Sequence, residues 1–135
     1  MLVPGESSHW HTAKPHKALK SGDRIFCWES GARRMVGLAE LVSPDTGLNE
    51  YGETLFEVRY LTRRFAVMPT ITELRQVPVV DDASFLKVGP ATTVLQLKHE
   101  QAQALYQFLC VKNPDCAGIW SDLEAQPPGR PLSGR

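Results

Sequence analysis

Cysteine is scarce: the chain holds three, Cys27, Cys110 and Cys116, with no CxxC spacing among them. An odd, low count excludes a disulfide framework and a zinc ribbon, so reduced thiols are expected, with Cys27 a small buried apolar group. Long apolar runs are also missing, which excludes a transmembrane helix, and the first residues lack the apolar segment of a secretory signal. A cytoplasmic protein with no membrane partner is expected. Net charge is absent as well: 15 Lys and Arg stand against 15 Asp and Glu, so any hold on a polyanion must come from a local patch. Catalytic signatures are lacking. There is no Gly-rich phosphate loop and no Ser-His-Asp set, and Asp81, Asp82 and Glu100 form no recognisable acid pair. His9, His11 and His16 include an H-x-H, but no Cys or carboxylate stands at ligand spacing. Neither enzymatic activity, nor a metal, nor a cofactor is expected.

What is present is an ordinary globular composition, 42% hydrophobic and 22% charged over 135 residues, enough for one domain with one core. Residues 1–22 read as loop, or as a short helix around Pro15 to Lys20. Asp23 to Ser30 alternates, Ile25 and Cys27 to one side, Phe26 and Trp28 to the other, which predicts a strand covered on both faces. SGARR then predicts a five-residue hairpin loop into a strand over MVGLAELV, with Gly37 marking a bend. SPDTGLNEYGE reads as a surface loop. TLFEVRYLTR is a strand with Phe56, Val58 and Tyr60 on a core face.

Thr70 to Glu73 is a T-x-x-E capping box that starts a short helix over ITELRQ, ended by Pro78. DDASFLK predicts a helical turn capped by Asp81 or Asp82 and stopped at Gly89-Pro90, and TTVLQL a β-branched strand. HEQAQALYQFLCVK predicts a helix with Ala102, Leu105, Phe108 and Leu109 as its apolar stripe, closed by Asn113-Pro114. The remainder, 113–135, reads as a turn-rich tail or linker after a domain over 1–112. This order predicts an α+β fold: a small, mostly antiparallel β-barrel with short flanking helices and a C-terminal helix.

The ordered series GDRIFCWES, VGLAELVSPD, FEVRYL, MPTITELRQVP and TTVLQLKHEQAQAL resembles the EVE family, a branch of the PUA-like barrels related to the YTH readers, over roughly Trp10 to Leu109. The resemblance implies a binding module that flips a modified base into an aromatic pocket. It also implies service in modification-dependent restriction beside a nuclease or AAA ATPase, fused or separate. A flipped base needs flat apolar walls to regain its lost stacking and polar groups to check its edge. By position, Trp28 falls on the family's strand aromatic, Ser30 on its following Ser, Trp10 near its early Trp, and Pro44 and Asp45 on the loop lying beside the pocket. Two departures stand out. Relatives open with a "Tyr-Trp-Leu" strand, whereas only Met1 to Val3 precede Pro4 here, so that strand is expected to be truncated or supplied otherwise. Relatives also carry Arg-Leu-Ser before the last helix, where this chain has GPATTVLQL.

Each candidate has a plainer reading. A Trp on a doubly covered strand ordinarily packs, and the residues alone favour that for Trp28; the resemblance makes it a pocket wall. Trp10, in the polar HWHTAK, reads as a lid or pocket residue or as a surface anchor. Phe85 reads as a third wall or a loop tether. Lys14, Lys17, Arg33, Arg34, Arg63 and Arg64 read as solvated charges unless the fold gathers them into a phosphate-contacting rim. The expectation is a reader of modified cytosine in DNA, 5-methyl or 5-hydroxymethyl, with DNA favoured over RNA. A module for RNA or modified RNA, and a small-molecule or interaction domain without nucleic acid, are the alternatives.

Overall fold

The computed structural model describes residues 3–12, 19–29, 31–87 and 96–124. Four strands, β1 (Ser7–Thr12), β2 (Arg24–Glu29), β3 (Arg34–Leu48) and β4 (Thr54–Tyr60), form one sheet in the order β1-β4-β3-β2, every pair antiparallel. Among the described residues the other regular elements are the short helices α1 (Ile71–Leu74) and α3 (Ser121–Glu124), the long helix α2 (His99–Lys112) and three 3-10 turns. The fold is α+β: an antiparallel sheet with helices toward its C-terminal side.

β1 corrects the expectation of loop or helix over 1–22 where that segment is described. SSHWHT carries one large apolar group, too little to read as a strand, yet it pairs along β4 from Ser7 opposite Arg59 to Thr12 opposite Thr54. Ser8, Trp10 and Thr12 turn inward, while His9 and His11 face solvent. An early strand, expected to be truncated or supplied otherwise, is thus found after Pro4.

The β2–β3 hairpin closes one residue earlier than expected, because Glu29 pairs with Arg34. Arg33 closes it in the left-handed region (φ 55°), donating its N–H to the Glu29 carbonyl at 2.7 Å. The bend expected at Gly37 is a bulge: the register slips between Cys27 and Trp28, with Cys27 opposite Gly37 and Trp28 opposite Met35. SPDTGL is strand rather than surface loop. Its turn formers are absorbed as an irregularity in which Ser43 pairs with Glu57 and Gly47 with Leu55, leaving Pro44, Asp45 and Thr46 unpaired. The chain reverses instead at Asn49, whose Oδ1 accepts the N–H groups of Tyr51 and Glu53, each at 2.9 Å.

The two sheet faces carry separate cores. On one, Cys27, Val36, Ala39, Leu41, Phe56 and Val58 are buried, with Trp10, Ile25 and Tyr60 partly buried beside them. On the other, Phe26, Trp28, Met35 and Leu38 meet a helical layer built from Leu74, Val80, Phe85, Leu86, Leu105, Tyr106, Leu109, Trp120 and Leu123. The alternation of Ile25 and Cys27 against Phe26 and Trp28 thus holds across β2.

The capping box forms as expected: Thr70 Oγ1 accepts from the Glu73 N–H at 3.4 Å and the Thr70 N–H donates to Glu73 Oε1 at 3.2 Å. α1 is shorter than ITELRQ, ending at Leu74. DDASFLK forms two 3-10 turns, Val80–Asp82 and Ser84–Leu86, neither capped by an Asp side chain. Asp82 pairs with Lys87 at 2.7 Å instead.

α2 is rotated from the expected stripe. It buries Gln101, Leu105, Tyr106 and Leu109, leaving Ala102 and Phe108 half-buried. Polar groups can face inward here because each finds a partner. Gln101 Oε1 accepts from the Lys98 N–H at 3.0 Å, and the Tyr106 hydroxyl donates to the Cys116 carbonyl while accepting from the Trp120 N–H at 3.1 Å.

The chain after Lys112 is not a tail as far as Glu124, a correction to the expected boundary. Asn113, Cys116, Trp120 and Leu123 are buried. Asn113 clamps Val67, donating to its carbonyl at 2.8 Å and accepting its N–H at 3.0 Å. Arg24 on β2 lies 5.7 Å from the Trp120 ring centroid and ion-pairs with Asp122, pinning α3 to the sheet. The stretch QPPGRPLSGR, the TTVLQL strand apart from Gln96 and Leu97, Gly89-Pro90, and most of the short helix expected around Pro15 to Lys20 lie outside the described residues. No helix among the described residues is long and apolar enough to cross a membrane.

Candidate nucleic-acid interface

The expected site residues fall into two groups rather than one. Trp28, at the end of β2, is half-buried and turns toward the helical layer, where its ring meets Phe85 edge-on with centroids 5.0 Å apart and planes at 74°. Phe85 reaches it because the two 3-10 turns carry the chain back under that end of the sheet, burying Val80, Ala83 and Leu86 along the way. Trp28 and Phe85 are thus brought together.

Trp10 belongs to the other face. Its ring stands edge-on to Phe56 with centroids 5.9 Å apart, and its Nε1–H donates to the Tyr60 hydroxyl at 3.2 Å. The sheet separates it from Trp28, so the two do not wall one pocket. Register explains this: Trp10 sits opposite Phe56, whose side chain shares a face with Val58 and Cys27, not with Phe26.

Pro44 and Asp45 are also far from Trp28. They lie in the β3 irregularity opposite Phe56, whereas Trp28 pairs with Met35 near the start of β3. At about 3.3 Å per residue the strand between Met35 and Ser43 spans roughly 25 Å. Asp45 is engaged locally, its Oδ1 accepting the Gly47 N–H at 3.0 Å. Along the strands, Pro44 and Asp45 group with Trp10. Ser30, Lys14 and Lys17 lie outside the described residues.

The arginines gather beside Trp28. After β4 the chain runs along the first half of β3, with the Phe65 N–H on the Val36 carbonyl and the Met35 N–H on the Pro69 carbonyl, each at 2.9 Å. This carries Arg63 and Arg64 to the β2–β3 hairpin with its Arg33 and Arg34. Glu29, the residue after Trp28, joins two of them: Arg34 Nε donates to its Oε1 at 2.7 Å, and Arg64 Nη2 to its Oε2 at 2.9 Å. Hydrogen bonds from Arg64 and then Arg34 hold the Glu29 carboxyl below its ordinary pKa, so it is ionised at neutral pH. Arg63 is exposed, and Arg33 is partly buried at the turn.

Sequence reasoning passed over Glu29, although acid and base flanking the SGARR turn as cross-strand neighbours was a readable signal. Trp120 was passed over too. Its spacing from Cys116 and Leu123, four back and three on, is the apolar period of a packed helical segment. Among the other candidates, His11 Nδ1 lies 2.8 Å from Glu53 Oε1, and Asp81 and Glu100 are exposed.

The fold is shared with a solved protein. The NMR structure of Rpa0253 from Rhodopseudomonas palustris matches with a TM-score of 0.57, over 80% of this chain and 77% of that one, at 18% identity. No protein-family model and no curated protein sequence matches the chain.

Proposed function

We propose that the chain is an EVE-like module of the PUA type whose sheet curls into a barrel, and that it binds a modified nucleobase in nucleic acid, a modified cytosine in DNA. The observation that carries this reading is Trp28: a half-buried indole braced edge-on by Phe85, immediately followed by a carboxylate that holds two arginines at the same rim. Such a wall offers a flat apolar surface to an extruded base, and the guanidiniums beside it suit the flanking phosphates. The order of motifs that resembles the EVE family supports the same end of the sheet, since Trp28 falls on that family's strand aromatic.

The mechanism is binding without turnover. Unstacking a base costs a few kcal/mol, and stacking on an aromatic wall returns roughly 1–3 kcal/mol per base. Trp28 forms the wall, braced from behind by the buried Phe85, and Arg33, Arg34, Arg63 and Arg64 the phosphate rim. Trp10 is left to the opposite core, and Pro44 and Asp45 to the irregularity in β3. By the same resemblance, the partner is an effector nuclease or AAA ATPase.

The test is a fluorescence-anisotropy panel of oligonucleotides carrying cytosine, 5-methylcytosine, 5-hydroxymethylcytosine and N6-methyladenine, in DNA and RNA, on wild type and Trp28→Ala. Selective binding of a modified base that the folded variant loses is the expected result. Equal affinity across the panel removes the base reader and favours an interaction domain; a preference for RNA of the same sequence moves the ligand to RNA.

A further inference from the structure

Arg34 and Arg64 approach Glu29 from two sides. Arg34 Nε binds Oε1 at 2.7 Å, while Arg64 Nη2 spans both oxygens at 3.2 and 2.9 Å. The three side chains remain in contact with water, at 34% exposure for Glu29, 35% for Arg34 and 41% for Arg64. An anion can therefore reach them. Guanidinium donors arranged around a carboxylate present the same directed N–H groups that a phosphate takes, since both anions offer paired oxygens at similar spacing.

We propose that Glu29 acts as an internal stand-in for a nucleic-acid phosphate, occupying the Arg34–Arg64 site in the free protein and giving way to a backbone phosphodiester on binding. This rests on the reading of the Trp28 end as a nucleic-acid interface and adds a regulator of its affinity. Three consequences follow from charge alone. The trio carries a net charge of one rather than two, so nonspecific attraction to polyanions is held down in a chain whose total charge is already zero. Every docking event must displace the carboxylate, so backbone contact by itself is weakened. Backbone contact alone then holds unmodified strands too weakly to occupy the protein, at an equal cost in affinity for the modified ones.

Glu29→Gln tests this directly, because the amide keeps the shape and one acceptor while removing the charge. Its affinity for a single-stranded 12-mer of unmodified DNA in 50 mM salt should rise three- to tenfold. The log-log salt slope should steepen by up to about 0.7, the increment for one more neutralised phosphate on a single strand. Glu50→Gln, exposed in the β3–β4 turn, controls for the loss of one negative charge elsewhere and should give under half that gain. Adding Arg34→Gln and Arg64→Gln to Glu29→Gln should abolish the gain. Inorganic phosphate added at constant ionic strength should compete better against Glu29→Gln than against wild type.

Affinity of a folded Glu29→Gln variant equal to or below wild type, or no greater than that of Glu50→Gln, overturns the inference while leaving a base reader standing if modified bases are still selected. A gain in Glu29→Gln with no selection among bases keeps the phosphate stand-in and removes the reader. No binding by either protein overturns both.

Discussion

The Trp28 ring meets Phe85 edge-on, with centroids 5.0 Å apart, joining the end of β2 to a pair of 3-10 turns far later in the chain. On the proposed reading the contact serves both the fold and the binding wall. It closes one end of the helical layer, and it fixes the indole so that its remaining surface is a rigid wall. Rigidity matters because a wall that must order itself on binding gives back in entropy what it gains in stacking.

Trp28→Ala should therefore lower affinity for the preferred oligonucleotide at least tenfold, the lower part of the range for a lost base-aromatic stack. It should also lower stability by about 2 kcal/mol, less than for a fully enclosed Trp because the ring is only half-buried. Phe85→Leu keeps most of the apolar burial and removes the ring partner, worth about 1 kcal/mol. Urea denaturation gives the stability terms and anisotropy the affinity. Unchanged affinity in a folded Trp28→Ala would move the site away from this end of the sheet.

The other aromatic group gives a contrasting expectation. Tyr60→Phe removes the acceptor for Trp10 Nε1–H, a hydrogen bond of 3.2 Å, and should cost about 1 kcal/mol of stability. Trp10 and Tyr60 share the face opposite Trp28, so oligonucleotide affinity should stay within twofold of wild type. A loss of base selectivity in Tyr60→Phe would place the recognition pocket on the Trp10 face instead.

Strands with strong apolar alternation were legible in the sequence: β2, the first half of β3, and β4, with faces assigned correctly for Phe26, Trp28, Phe56 and Val58. The capping box at Thr70 and the extent of α2 were legible for the same reason, since local chemistry determines them. β1 was not, because its inward positions are Ser8, Trp10 and Thr12, and polar groups in strands are made tolerable by neighbours that a single sequence does not reveal. The SPDTGL segment misled because turn residues also build bulges, and only the partner strand decides between the two. The site was half legible. The resemblance singled out Trp28, and the residues themselves offered Phe85 and the arginines as candidates beside it, but the separation of Trp10 from Trp28 depends on sheet order and register, which are long-range properties.

The packed segment after Lys112 makes the C-terminal region part of the fold. Leu123 is fully buried against the layer that includes Tyr106 and Trp120, so Leu123→Ala should cost roughly 2–4 kcal/mol. A chain ending at Lys112 would lose Cys116, Trp120 and Leu123 from the core together with the Asn113 clamp on Val67. It should show no cooperative thermal unfolding by circular dichroism. A cooperative transition within a few degrees of the full chain would return the boundary to Lys112.

Alkaline pH should destabilise the protein through its thiols. Burial pushes both Cys27 and Cys116 up to about 12, against a value near 8.5 for an unfolded cysteine. Between those values the folded chain keeps protons that the unfolded chain has released, so stability is fully present below about pH 8.5 and declines as pH rises toward 12. Desolvation also raises Tyr106, which adds a loss of the same sign at higher pH. Urea melts under reducing conditions at pH 8 and pH 10.5 should differ by on the order of 2 kcal/mol for each buried thiol. Cys27→Ala lowers the starting stability by removing a packed sulfur, but its decline with pH should be shallower than that of wild type. The two slopes, rather than the two midpoints, carry the test: parallel declines would mean that Cys27 ionises in the folded protein as readily as in the unfolded chain.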